Sequence, residues 1–266
     1  MDTKYIIGAI VVIVIIIAAA LVVGGAFNKP QKITIVGSTS VQPVAEKLAA
    51  QYHKEHPNVN ISVQGGGSAV GLKSVQDGTA NIGTYSSALN NSTAPGIVQY
   101  QIANDGIVIV VNTASNITNL SKNQTKAIFA GNNSSFTVVT REEGSGTRDA
   151  FISLIMGGKN GTNITKSAIV QSSTDAIKQA VKGNPNAIGY MSLADVDSSV
   201  KVLTIDGVTP SAATVKNGTY TVQRPFLFLT KGQATGATLD FINWCLSPSG
   251  QTIIQQAGAV PVKPTS

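Results

Sequence analysis

The stretch VVTREEGSGTRDAF, residues 138–151, holds two of the chain's three arginines, Arg141 and Arg148. Between them lies a small, hydroxyl-bearing turn, Gly144-Ser145-Gly146-Thr147. A guanidinium offers an oxyanion a planar, bidentate pair of donors that a lysine does not. Glycines let a backbone approach a ligand without a Cβ in the way. The combination points to anion binding. Two other stretches share its design of strand, Gly/Ser/Thr turn and helix: GSTSVQPVAEKL at 37–48 and GGGSAVGLKSV at 65–75. Each places a hydroxyl near a helix start: Ser40, Ser68, and Ser145 with Thr147. Free N–H groups and the positive end of the helix dipole favour an anion there. The plain alternative is ordinary N-capping, worth about 1 kcal/mol per helix. Three such turns, one flanked by arginines, favour a shared ligand. Glu142 and Glu143 offer Arg141 and Arg148 surface ion pairs instead, and for Arg148 that reading weighs as much as ligand contact.

The elements that carry these turns follow from periodicity and punctuation. KITIVGS (32–38) reads as a strand and VQPVAEKLAAQYHKEHP (41–57) as a helix with Pro43 in its first turn and Pro57 at its stop. NVNISVQGGG is a second strand, SAVGLKSVQDG a short helix and ANIGTYS a third strand. This alternation predicts a parallel α/β sheet. GIVIVVN (106–112) is apolar enough for a strand buried on both faces. Beyond it SSFTVVTRE, NAIGYMS and KVLTID read as strands, RDAFISLIMGG and TDAIKQAVKGNP as helices, GTYTVQRPFLFLT (218–230) as a long apolar strand, and ATLDFINWCLSPSGQTIIQQAG as one last helix. The two apolar strands bracket the middle of the chain. They predict two α/β lobes: a discontinuous one from 32–110 and 224–266, and a continuous one from 111–223.

Residues 5–27 carry no charged or strongly polar side chain. That run is long enough for a helix across a bilayer core, which takes about 20 residues, and longer than the usual signal-peptide core. An uncleaved N-terminal membrane anchor is the first reading and a cleaved signal the second. Flanking charge is nearly silent about orientation. Asn-x-Ser/Thr sequences at Asn60, Asn90, Asn91, Asn116, Asn119, Asn123, Asn132, Asn133, Asn160, Asn163 and Asn217 favour a body outside the membrane, with glycosylation as a candidate modification. The net charge of +6 raises encounter rates with anions. Its lysines are scattered and few aromatics accompany them, which argues against nucleic acid. The lone Cys245, in an apolar stretch, reads as a buried hydrophobe. His53 and His56 sit at a predicted helix end without further ligands for a metal. No nucleophile elbow and no phosphate-binding Gly-Lys-Ser/Thr loop occurs. Neither catalysis nor a metal or cofactor is expected.

The motifs GSTSVQP, GGGSAVGL, NDGIVIVVN, REEGSGTRDAF, NPNAIGYMSLADV and YTVQRPFLFLTKG, in this order, resemble the substrate-binding proteins of phosphate ABC importers. The resemblance spans about 33–261. It implies a two-lobed periplasmic-binding-protein fold with a hinge of two crossing strands, which captures one inorganic phosphate and delivers it to an ABC permease in the membrane. It also implies a monomer on the extracytoplasmic face, tethered by 5–27, or secreted if that segment is cleaved. Carried over by motif, the phosphate ligands are Ser40 and Val41 from the first turn, Ser68 from the second, and Arg141, Ser145, Gly146 and Thr147 from the arginine turn. Some relatives place an aspartate after the third strand to accept the phosphate O–H. This chain has Ser86 and Ser87 there. Ser86 joins the expected ligands, and Asp105 or Glu142 is left as the candidate acceptor. If no carboxylate reaches the ligand, discrimination against sulfate weakens. Two other readings stay open: the same fold holding sulfate, molybdate or tungstate, and an anchored, glycosylated scaffold or adhesion protein, which would bind no small anion.

Overall fold

The computed structural model describes residues 30–265. The expected anchor at 5–27 lies outside the described residues, and no helix among those described is long and apolar enough to cross a membrane. In chain order the main elements are β1 (Gln31–Gly37), α1 (Gln42–Glu55), β2 (Val59–Gln64), α2 (Ser68–Gln76), β3 (Ile82–Tyr85) and β4 (Ile97–Val111). There follow β5 (Asn119–Leu120), α3 (Lys122–Phe129), β6 (Thr137–Arg141), α4 (Gly146–Phe151), β7 (Ile169–Gln171), α5 (Thr174–Gly183), β8 (Ala187–Ser192), β9 (Lys201–Val202) and β10 (Thr204–Ile205). The chain closes with α6 (Ala212–Lys216), β11 (Gln223–Lys231), α7 (Gly236–Cys245), α8 (Pro248–Gln256) and β12 (Val260–Pro261).

The main strand order is β2-β1-β3-β11-β4-β8-β6-β7. β1 runs parallel to β2 and β3, while β11 is antiparallel to both β3 and β4. β4 joins the two lobes. Its first part pairs with β11, and its last part, Ile107 to Val111, pairs with β8. The expected strand at 106–112 is thus the distal third of a longer one. Its proximal residues, IVQYQIAND, are too polar for an apolar-run criterion, but β11 supplies their ladder partners.

Alternation builds the cores. Ile107, Ile109 and Val111 face a cluster with Phe129, Phe151 and Tyr190, whereas Val108 and Val110 face Ile177 and Val181 of α5. A strand buried on both faces must be apolar at every position. In the first lobe, α1 turns Val44, Ala45, Leu48, Ala49 and Tyr52 inward. They pack with Ile33, Ile35, Ile82, Phe226, Phe228 and Phe241, so the C-terminal elements complete the N-terminal core.

Three expectations about elements are corrected. The single last helix is two, because Ser247 caps Gly250 N–H at 3.3 Å and Pro248 opens a new helix. KVLTID splits into β9 and β10 in different sheets around the buried Leu203. The helix expected at 148–158 begins at Gly146, passes into a π turn at Ile152–Met156 and is stopped by Gly157, whose φ of 97° few other residues adopt.

Candidate functional site

Five chain turns and the two crossing strands converge between the lobes. The first lobe contributes Ser38, Thr39 and Ser40 after β1, Ser68 at the start of α2, and Ser86 after β3. The second contributes Arg141 to Thr147 between β6 and α4, and Thr174 at the start of α5. Ser40, Ser68, Ser86, Arg141, Ser145, Thr147 and Thr174 are each 3% exposed or less. Such a density of buried polar groups is tolerable only when each is hydrogen-bonded.

Ser40 is the junction of the lobes. Its Oγ lies 2.9 Å from Thr147 Oγ1 and 2.9 Å from Thr174 Oγ1. Thr39 Oγ1 accepts the Thr174 N–H at 3.2 Å, and Ala69 N–H donates to Gly144 O at 2.9 Å. The first lobe's hydroxyls are linked among themselves. Ser38 Oγ donates to Ser86 Oγ at 2.8 Å, and Ser86 N–H donates to Ser68 Oγ at 3.2 Å. Gly146 makes this approach possible: a Cβ there would overlap Ser68 Oγ and Ser86 Oγ. Gly144, at φ 84°, takes the left-handed turn that presents its carbonyl to Ala69.

The capping alternative is settled turn by turn. Ser145 does cap α4, accepting the Arg148 N–H at 3.3 Å. Ser40 and Ser68 cap nothing: the caps of α1 and α2 are Val41 and Gly67, without side-chain hydrogen bonds. Their hydroxyls face the cluster instead. Val41 buries its side chain in the first core, and its N–H turns back on Ser38 O at 3.2 Å.

Each arginine of the cluster is matched by a carboxylate. Arg141 donates Nε and Nη2 to Glu142 Oε2 and Oε1, both at 2.8 Å, and Nη1 to Thr174 Oγ1 at 3.3 Å. Tyr190, stacked on Phe151 at 4.1 Å, accepts the Arg141 N–H at 3.2 Å and so anchors the end of β6. Arg148 stays partly exposed on α4.

The crossing strands carry the other pair. Asp105 on β4 and Arg224 on β11 are direct cross-strand partners. Arg224 Nε and Nη2 donate to Asp105 Oδ2 at 3.0 and 2.9 Å. Its Nη1 donates to Thr147 Oγ1 at 2.6 Å and to Ser86 O at 3.0 Å, touching both lobes at once. Asp105 Oδ1 accepts from Ser192 Oγ at 2.9 Å and from Ala194 N–H at 3.3 Å. Burial pushes the Asp105 carboxyl up from its ordinary value, and Arg224 is the largest influence pulling it back. Asp195, close behind, has an Oδ2 shut off from solvent with no partner among the described residues. Burial, then the charge of Asp105, pushes Asp195 up to about 8.

Sequence reading missed Ser38, Thr39, Thr174, Tyr190 and Arg224. Only Arg224 left a clear signal: one arginine inside an otherwise apolar strand must find a buried partner, and β4 carries a single aspartate. Among the described residues, no group of three or more His, Cys, Asp or Glu could hold a metal ion. His53 Nδ1 contacts Val59 O at 2.9 Å and His56 stacks on Tyr52, remote from the cluster.

The chain is similar in sequence and fold to known proteins. A family profile described as the PBP superfamily domain matches residues 25–249. The phosphate-binding protein PstS of Bacillus subtilis (strain 168) is 31% identical over 245 residues, covering 86% of this chain and 80% of that protein. A putative phosphate ABC transporter substrate-binding protein from Clostridium perfringens, solved with bound phosphate, superposes with a TM-score of 0.83 at 34% identity, covering 88% of this chain and all of that one. An ABC-type phosphate transport receptor from Vibrio cholerae superposes with a TM-score of 0.71 at 34% identity, covering 86% of this chain and 99% of the other.

Proposed function

The chain belongs to the PBP superfamily, and from that premise we propose that it is an extracytoplasmic phosphate-binding protein serving an ABC importer. The observation that carries the reading is Ser40, held at 2.9 Å from two threonines of the opposite lobe within a buried cluster of hydroxyls and guanidiniums. An inorganic anion among these groups would be bound from both lobes. It then binds the closed state better than the open one, which shifts the population to closure.

In this reading Ser40, Ser68 and Ser86 hold phosphate from the first lobe, and Arg141, Ser145, Gly146 and Thr147 from the second. Val41 supports the first turn. Asp105 acts through Arg224 rather than on the ligand. The moving bodies are 32–110 with 224–266, and 111–223. The permease recognises the closed form, and residues 5–27 keep the monomer at the membrane surface. The protein captures and releases its ligand without chemistry.

The test is calorimetric titration of the full-length chain, purified in detergent micelles, with inorganic phosphate. One-to-one binding is expected. Absence of binding overturns the proposal in favour of a scaffold.

A further inference from the structure

Anion capture makes no use of the Asn-x-Ser/Thr sequences. All eleven of their asparagines are exposed, so exposure selects none of them. Hydrogen bonding does. Such a sequence needs the hydroxyl of its third residue as well as the asparagine. A folded chain meets that need without rearrangement only where the hydroxyl already sits on the carboxamide. Two sequences do so. Asn217-Gly218-Thr219 lies in the turn between α6 and β11. Asn217 Oδ1 accepts the Thr219 N–H at 3.0 Å and the Thr219 hydroxyl at 2.7 Å, a shorter bond than that hydroxyl's 3.4 Å approach to Thr214 O. Gly218, at φ 78°, supplies the left-handed residue of this turn. Asn90-Asn91-Ser92 opens a short 3-10 turn after β3, and Asn90 Oδ1 accepts both the N–H and the hydroxyl of Ser92 at 3.0 Å. At both sites the oxygen of the carboxamide is held, and Nδ2 has no protein partner among the described residues.

Elsewhere the fold keeps the two groups apart or commits one of them to another partner. Asn60 lies on β2, where a residue and the next but one are about 6.6 Å apart along the strand. Asn119 Oδ1 accepts from Thr204 Oγ1 at 2.6 Å and from the Gly207 N–H at 3.0 Å. After Asn123, the buried Thr125 donates its hydroxyl to Ser121 O at 2.9 Å. After Asn91, Thr93 Oγ1 donates to Asn90 O at 2.8 Å.

We propose that Asn90 and Asn217 are N-glycosylation sites, modified on the folded body by a membrane transferase that uses a sugar carried as the anomeric pyrophosphate of a lipid. The proposal rests on the extracytoplasmic placement above. Asn Nδ2 attacks the anomeric carbon of the donor sugar. The N–C bond forms as the bond from that carbon to the pyrophosphate oxygen breaks. The lipid pyrophosphate leaves with the electron pair, and one Nδ2 proton passes to a base of the transferase. A turn that already holds the hydroxyl on the carboxamide has little conformational entropy left to lose on entering the transferase, which favours it over the other sequences. Neither side chain hydrogen-bonds to the interlobe cluster, so a glycan at either site leaves phosphate capture intact.

The experiment labels intact cells that make the protein with a membrane-impermeant amine reagent, purifies the full-length chain, and maps label and sugar by peptide mass spectrometry. The expected result is label on the body, sugar on Asn90 and Asn217, and none on Asn60, Asn119 or Asn123. Thr219→Ala is expected to abolish the sugar at Asn217 and Thr219→Ser to retain it, with phosphate affinity unchanged in both. A labelled chain missing sugar at one or both asparagines overturns the proposal and leaves the extracytoplasmic reading standing. Sugar spread evenly over all the Asn-x-Ser/Thr sequences overturns it too, because transfer then precedes folding. Sugar retained at Asn217 in Thr219→Ala also overturns it. A chain with neither label nor sugar overturns both readings.

Discussion

Replacing Arg224 with methionine removes the cation that Asp105 was buried against. Arg224 and Asp105 are 3% and 0% exposed, in direct register on adjacent strands. Methionine fills much of the volume and keeps contact with Phe226, over whose ring the Arg224 guanidinium lies at 5.3 Å. It leaves Asp105 Oδ2 without either guanidinium bond. Breaking a buried pair from one side costs about 3–5 kcal/mol. With a urea slope of about 3 kcal/mol/M, the unfolding midpoint falls by roughly 1–2 M. The lone tryptophan, Trp244, whose indole N–H donates to Glu55 at 2.8 Å, reports the transition by fluorescence. Adding Asp105→Leu removes the stranded charge as well. The double variant is therefore expected to lose at least about 2 kcal/mol less than the sum of the two single losses. Anion affinity should fall in Arg224→Met even under conditions where it is folded, because Thr147 loses the donor that orients its hydroxyl. A loss under about 1 kcal/mol, or single losses that simply add, would refute the reasoning that the pair is a buried, mutually dependent unit.

Other outcomes follow from the same contacts. Arg141→Lys keeps the charge but not the fork that engages Glu142 and Thr174; phosphate affinity by calorimetry is expected to fall about 10- to 100-fold, in line with the 1.5–3 kcal/mol of charge-assisted bonds. Gly146→Ala places a methyl against Ser68 and Ser86 oxygens across the interlobe contact; affinity should drop by at least about tenfold while the urea midpoint moves little, since the lobes can separate without unfolding. Asp195 has a folded value of about 8 against an ordinary 3.8, so the folded chain holds a proton that the unfolded chain releases. Its contribution to stability is full below about pH 4 and lost as pH rises through about 8. Urea midpoints of Asp195→Asn should show a weaker decline over that window than those of the unsubstituted chain. Cys245 is buried and its thiol is pushed up by burial; alkylation by iodoacetamide should be negligible in the native protein and rapid in denaturant.

Local pattern was enough for the strands and helices of the first lobe. Alternation in QKITIVG, helical spacing from Val44 to Tyr52 and the glycine turns between them are short-range properties, and the structure keeps them. The arginine turn was equally legible, because Arg141, Ser145, Gly146 and Thr147 are neighbours in the chain. Their meaning as a site required partners that lie 107 and 134 residues apart, Ser40 against Thr147 and Thr174. A serine before a helix reads the same whether it caps that helix or faces another lobe. Only the backbone path showed that Ser145 caps and Ser40 and Ser68 do not.

The chain's composition and order by themselves determined an alternating α/β body, the three Gly/Ser/Thr turns and the apolar crossing strands, because hydrophobic period and turn chemistry act over a few residues. Tertiary structure alone decided the register that sets Arg224 opposite Asp105 and leaves both of that aspartate's oxygens filled. Register is set by the packing of whole sheets. A shift of one strand by a single residue would put the two charges on opposite faces of the sheet, and no local signal in either strand records which alignment the sheet adopts.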